Sequence, residues 1–317
     1  MHQFAPVLLA VLQVFVIIGL GFGVRRVGWV KPETDSDLMK LILNLLFPCF
    51  IIHRISADPL MREGGTVTTA AALGFGFIVF AVAISYVVAP ALKLRKGKGR
   101  RTFAVSCGIQ NYGFVAIPVL ETVTGGNEAT GVLIMHNVGV DIAIWSVCLM
   151  VMTGAMQSPL KKLANGPLIA IVIGLTLNYT GAGEHVLRYA GGAIEALGNC
   201  SIPLSLVLIG TTLADLTKNK VFKGSLRVGM GSIVLRMVIL AIPFLLAAEY
   251  LVTSRELKIV LIVEASMPAA VFPIVMARHY GGHPETAVRV VTYTTVASLI
   301  TTPLVISLGF WFTNTWP

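Results

Sequence analysis

Ten stretches of roughly twenty apolar residues run through this chain, and no other feature restricts its fold as much. They cover about 5–24, 37–56, 66–92, 102–123, 131–156, 163–181, 188–214, 225–249, 257–278 and 287–312. The hydrocarbon core of a bilayer takes about 20 residues of helix. In lipid every backbone polar group must be bonded within the structure, so helices are the expected form. A barrel would alternate apolar and polar residues in segments of about ten, and no such alternation is visible. Of the 317 residues, 56% are hydrophobic and only 12% charged, against roughly a quarter charged in a soluble domain. The expected fold class is therefore an all-α membrane protein of ten transmembrane helices. The spans leave no length for a soluble domain.

The formal net charge of +9 could suggest nucleic acid, but its distribution points to the membrane instead. Of the 24 Lys and Arg, 17 fall in loops after odd-numbered spans and 5 in loops after even-numbered ones. The positive-inside rule then puts the odd loops in the cytoplasm and both termini outside. No nucleic-acid partner is expected. The first apolar run lacks the basic leader and A-x-A site of a signal peptide and reads as a retained span. Cys49, Cys107, Cys148 and Cys200 all lie within spans without a C-x-x-C. They are expected to be small core residues, with no disulfide or metal role.

Three matches share one offset. "NLLFP" (Asn44 to Pro48) pairs with "NCSIP" (Asn199 to Pro203), "GFG" at Gly74 with "GMG" at Gly229, and Pro118 with Pro273, each 155 residues apart. This predicts two five-span repeats, 1–156 and 157–317. Copies with an odd number of spans cross the membrane in opposite senses, the usual construction of secondary transporters. Chance coincidence among abundant Gly and Pro is the other explanation.

Spans 4 and 9, "VSCGIQNYGFVAIPVLETVTGG" and "IVEASMPAAVFPIVMARHYGG", hold corresponding places and carry Pro118, Pro268 and Pro273. Proline removes an N–H and clashes with the preceding turn, so each span is expected to break near its middle. The broken ends would meet and cross at the midplane, with half-helix N-termini aimed at an anionic ligand. Two kinked but continuous helices are the plainer alternative. Asn111 and Glu264 sit close to the predicted breaks. A charge inside the membrane costs about 2.5–3.5 kcal/mol on insertion scales and usually faces a cavity. Asp141, next to His136 and Asn137, is a second such group. Arg236 is a third, able to pair with an acid or to snorkel to an interface. Glu121 is read as solvated.

These stretches resemble the auxin efflux carrier family, which includes plant auxin exporters and bacterial organic-anion carriers, within the bile acid/auxin/arsenite-type superfamily. Pro268, Pro273 and "ARHYGGHP" resemble the family's ninth span, "NYGFVAIP" its fourth, "FPCFIIHRISADP" the end of its second and "PLSLVLIGTTL" its seventh. The likeness covers nearly the whole chain. It implies two inverted five-helix repeats with broken, crossing helices 4 and 9. It also implies a scaffold of spans 1, 2, 6 and 7 and an elevator-type transport domain of spans 3–5 and 8–10. By position it implies substrate contacts at Asn111, Phe47, Gly113 and Val271, around a crossover shaped by Pro118, Pro268 and Pro273. Family members dimerise through the scaffold, and the Gly19/Gly23 spacing in span 1 is compatible with that. Two departures stand out: the connection between the halves is short, and span 3 lacks the Asp and Lys that plant members tend to carry, which argues against auxin as substrate. Sodium-coupled bile-acid carriers of related fold use a ninth-span glutamate as a sodium ligand, an analogy of fold only.

The expected function is secondary active transport of a small carboxylate across the plasma membrane, a bacterial inner membrane, by a homodimer. Glu264, Asp141 and Asn111 are the candidates for a coupling proton or Na+, with no cofactor. A Glu264 that only caps broken-helix donors is the structural alternative. An electrogenic uniporter using the same site without coupling is the second function. An intramembrane enzyme is the rival class, but G-x-S-x-G, H-E-x-x-H and P-loop motifs are all missing.

Overall fold

The computed structural model describes residues 4–62, 64–95, 97–125, 129–154, 166–218 and 226–316. Among these residues every regular element is helical, apart from one isolated two-residue bridge. The helices are α1 (Phe4–Arg26), α2 (Thr34–Leu41), α3 (Phe47–Ile55), α4 (Gly64–Val88), α5 (Arg100–Gly108), α6 (Ala116–Thr124), α7 (Thr130–Ala143) and α8 (Leu149–Thr153). They continue with α9 (Gly166–Thr180), α10 (Ala182–Lys218), α11 (Leu226–Ile233), α12 (Ala241–Tyr250), α13 (Arg255–Ser266), α14 (Phe272–His279) and α15 (Pro284–Thr313). Three π-helical turns join helices end to end: Ile42–Leu46 between α2 and α3, Ile144–Cys148 between α7 and α8, and Val234–Ile239 between α11 and α12.

Seven of the resulting rods are long and apolar enough to cross a membrane, and Gly166–Thr180 is apolar but shorter. The other two expected spans, 4 and 9, are each split. α5 stops at Gly108 and α6 starts at Ala116, while α13 stops at Ser266 and α14 starts at Phe272. Pro118 and Pro273 fall in the first turns of α6 and α14. There the missing N–H has no intrahelical partner to lose, and the fixed φ suits a helix start. Proline alone does not dictate a break, because Pro203 and Pro303 lie inside the continuous helices α10 and α15.

Packing falls into two groups. α1 runs along α10, and α3 lies against both α9 and α10. α4 packs on α5 and α7, while α11, α12 and α13 pack on α15. Contacts of α1 with α6 and α15, and of α3 with α7, join the groups. The close approach of α1 to α10 uses Gly21, whose missing Cβ would strike the Val207 backbone. Gly19 and Gly23 instead face open space on the exposed side. Cys107 and Cys148 are buried and Cys49 partly so, but Cys200 is exposed on α10, so it is not the core residue expected. The connection carrying Lys161 and Lys162 lies outside the described residues.

Candidate functional site

The two interruptions meet. The Asn111 amide donates to the Pro268 carbonyl at 2.7 Å, and the Ala270 amide donates to the Ile109 carbonyl at 2.9 Å. These bonds flank an antiparallel bridge between Gln110 and Ala269. Each break thus supplies polar backbone partners that the other lacks, which is how irregular backbone is tolerated among apolar helices. Kinked but continuous helices are excluded by this pairing.

A cavity of about 330 Å³ opens beside the crossover. Asn111, Tyr112, Gly113, Phe114 and residues 270–272 form one wall. α2, its π turn and α3 form another through Lys40, Asn44, Phe47 and Ile51, and the start of α9 adds Gly166, Pro167 and Ile171. α7 and the following π turn contribute Ile134, Asn137, Asp141 and Trp145. The cavity therefore lies at the seam between the two packing groups. Its apolar side is aromatic: Phe47 stacks on Phe50 at 5.9 Å and meets Phe114 edge-on at 6.2 Å, and Trp145 meets Phe272 at 5.4 Å. A Cβ on Gly113 would come within 4.0 Å of Phe47 Cζ.

The polar side is specific. Asn111 is 5% exposed, its backbone amide is fixed by the crossover bond, and the residue lines the cavity. The Tyr112 hydroxyl donates to Asp141 Oδ1 at 2.7 Å, and Asn137 Nδ2 donates to the Tyr112 carbonyl at 3.0 Å. Of the lining residues among those described, Lys40 is the sole cation and Asp141 the sole acid. The Lys40 ammonium reaches Asp37 at 3.1 Å and is largely exposed, which puts it at the mouth. Lys40, Asn44, Tyr112 and Trp145 were not anticipated from sequence. Tyr112 sits inside the "NYG" motif and offered a signal; Asn44 joins the site from the π turn, which has no residue signature, and Lys40 from the last turn of α2 before it.

Of the expected contact residues, Asn111, Phe47, Gly113 and Val271 line this cavity, and Pro118, Pro268 and Pro273 do not. The prolines shape the backbone behind the wall: Pro268 through its carbonyl, Pro118 and Pro273 as buried helix starts. The two expected acids are also separated. Asp141 faces the cavity, whereas Glu264 is fully buried at the end of α13 and is not part of the lining.

Behind the crossover, Glu264 faces the Gln110 amide and the charge of Arg236. Arg236 does not snorkel: it is fully buried on the π turn after α11. Its Nε donates to the Met267 carbonyl at 3.1 Å and its Nη2 to the Glu264 carbonyl at 3.2 Å. The Met267 carbonyl lies past the broken end of α13, and the Glu264 carbonyl also accepts from the Met267 amide at 3.2 Å; a cation at this helix end suits the helix dipole. Thr302 donates to the Ser266 carbonyl at 2.9 Å, and Thr294 accepts from the Ala269 amide at 3.2 Å. Glu121 is not merely solvated: Arg54 Nη2 contacts its Oε1 at 2.7 Å. Among the described residues no group of His, Cys, Asp and Glu is placed to hold a metal ion.

Apolar rods, two paired interruptions and a cavity at their junction define a multi-pass membrane transporter. Its sequence matches the family model for membrane transport proteins over residues 6–158 and 152–306. The chain belongs to that family, the auxin efflux carrier type of membrane transporter. It is also similar to an uncharacterized transporter of Methanothermobacter thermautotrophicus, 24% identical over 299 residues, covering 93% of this chain and 95% of the relative.

Proposed function

We propose that this transporter is a secondary carrier for a small organic anion, a carboxylate. The observation that carries this reading is Asn111, anchored through its backbone by the crossover pairing and lining a largely apolar cavity. A carboxylate there would accept from the Asn111 amide, and the starts of α6 and α14 favour negative charge nearby. The aromatic wall of Phe47, Phe114 and Trp145 would hold the organic remainder.

The cavity sits between two packing groups, which supports alternating access by an elevator-type motion. α1, α2, α3, α9 and α10 would stand as the scaffold, and the other helices would carry the crossover. The two halves would be inverted repeats of five spans each. The basic loops favour a plasma membrane with both termini outside. The open Gly19/Gly23 face of α1 would suit a homodimer through the scaffold.

Coupling to a proton or Na+ would rest on Asp141 in the cavity and Glu264 behind it. Proteoliposomes loaded against radiolabelled acetate, benzoate and malate, under imposed proton or sodium gradients, test the whole reading. Accumulation of one of these probes is expected, with loss of flux in Asn111→Ala. Asp141→Asn and Glu264→Gln should separate flux from coupling. Accumulation driven by membrane potential alone in both variants would show a uniporter. Absence of flux for all carboxylates would overturn the substrate class.

A further inference from the structure

A second hollow lies on the outer surface of the helices, away from the crossover. It is a groove of about 380 Å³ between α4 and the π turn leading into α8. Val79, Ala83, Val147 and Val151 make its floor and sides, Tyr86 and Arg101 its upper end. The rods Gly64–Leu92 and Thr130–Thr153 that form it are both membrane-spanning in length and composition, so the groove opens toward lipid. The rod ending at Leu92, the start of α5 at Arg100 and the end of α8 at Thr153 come together at the rim.

The rim is built around one guanidinium. Arg101 Nη1 donates to the Thr153 carbonyl at a long 3.4 Å, which among the described residues leaves most of its five N–H donors unspent. Gly154 has φ +75, and a Cβ there would collide with the Arg101 guanidinium, so glycine is what lets the arginine lie at this position. The neighbouring Arg100 is engaged differently: its Nε donates to the Tyr86 carbonyl at 3.0 Å and its Cζ stands 3.9 Å above the Tyr86 ring. Among the described residues no acid lines the groove. No Asp or Glu occurs anywhere between residues 64 and 120, a stretch that carries Lys93, Arg95, Lys96, Lys98, Arg100 and Arg101.

We infer that this groove binds one anionic phospholipid. An acyl chain would lie along the valines and Ala83, and the phosphate would take the free edge of Arg101. A neutral lipid would fill the apolar part equally well, but its headgroup brings no net charge to the guanidinium. Charge complementarity thus selects an acidic headgroup, as basic pockets between membrane helices generally do.

Native mass spectrometry of the full chain, in detergent with phosphatidylglycerol or chain-matched phosphatidylcholine, tests the site. One phosphatidylglycerol per chain should survive activation that strips phosphatidylcholine. Arg101→Gln should weaken that retention about tenfold, or roughly 1.4 kcal/mol. Ala83→Trp, which fills the groove, should weaken retention of both lipids. The double variant Lys93→Gln/Arg95→Gln should retain the lipid as the native chain does, which separates a built site from diffuse attraction to a basic loop. Equal retention of the two lipids by the native chain, or undiminished phosphatidylglycerol retention by Arg101→Gln, would overturn the assignment. So would thermal stabilisation by glycerol 3-phosphate equal to that by the lipid, since the site would then hold a free anion. Unfolding midpoints in phosphatidylcholine micelles confirm that each variant is folded; should Arg101→Gln not fold, Arg101→Lys, expected to keep only part of the preference, takes its place.

Discussion

The two interrupted spans, 109–115 and 267–271, cross each other yet keep different company. The first is held by α7 side chains that also face the cavity: Asn137 bonds the Tyr112 carbonyl and Asp141 accepts from the Tyr112 hydroxyl. The second is held from behind by side chains that face nothing but protein: Arg236, Thr294 and Thr302. One break therefore presents polar groups to a ligand, and the other is an anchor against which the first is positioned. A buried anchor should govern stability, and a cavity-facing break should govern recognition.

The largest expected effect breaks the anchor. Arg236→Ala takes the side-chain donor from the Met267 carbonyl and one of two donors from the Glu264 carbonyl, which keeps the Met267 amide. A hydrogen bond to a charged group contributes about 1.5–3 kcal/mol, so losing both should cost about 3 kcal/mol or more. Denaturant unfolding of the purified protein should show that loss, and Arg236→Lys should recover only part of it, because an ammonium lacks the planar fork. A loss under about 1 kcal/mol, the scale of one neutral hydrogen bond, would mean that the second break holds itself.

Recognition comes next. Asn111→Ala should leave unfolding within about 1 kcal/mol of the native chain, because the crossover bond uses the backbone amide. A hydrogen bond to a charged group contributes about 1.5–3 kcal/mol, so carboxylate affinity in the proteoliposome assay should fall at least tenfold. If instead Asn111→Ala unfolds the protein while Arg236→Ala does not, the roles assigned to the two breaks are reversed.

Sequence alone revealed where the breaks would fall and little of what holds them. Apolar runs of fixed length and prolines with nearby glycines act locally, so they can be read along the chain. The partners of Arg236 lie 28 and 31 residues away, and a lone arginine in an apolar run looks the same whether it snorkels or caps a buried carbonyl. Three π turns placed Asn44, Trp145 and Arg236 where they are, and a π turn requires no particular residue. The Gly19/Gly23 spacing was visible, but the close contact of α1 uses Gly21, because helix rotation is decided by α10. Glu121 read as solvated because its partner Arg54 belongs to another helix.

A subtler test sharpens the cavity side. Tyr112→Phe removes the donor to Asp141 while keeping the ring, which should cost about 1 kcal/mol of stability. A double-mutant cycle with Asp141→Asn measures their coupling directly. Coupling near zero would mean that the hydroxyl does not orient the carboxylate, and that the first break lacks the preorganised polar wall ascribed to it.

The smallest expected effect on stability concerns a bond that, among the described residues, the first interrupted span makes and the second does not. Arg54 on α3 pairs with Glu121 on α6 at 2.7 Å, across the seam between the two packing groups. Other ion pairs among the described residues, such as Arg25 with Asp35 and Asp215 or Lys258 with Glu249, stay within one group. The second interrupted span has no such link through α14 among the described residues. The two side chains are only 13% and 20% exposed, and Arg54→Gln keeps a neutral donor for Glu121, so the loss of stability should be about 1 kcal/mol. If the groups slide past one another during transport, this bond must break in each cycle. Arg54→Gln and Glu121→Gln should then change the transport rate alike, and the charge-swapped pair Arg54→Glu/Glu121→Arg should return it toward the native value. Equal rates in all four proteins would show that the seam does not open at α3 and α6, and the first interruption would be as fixed as the second.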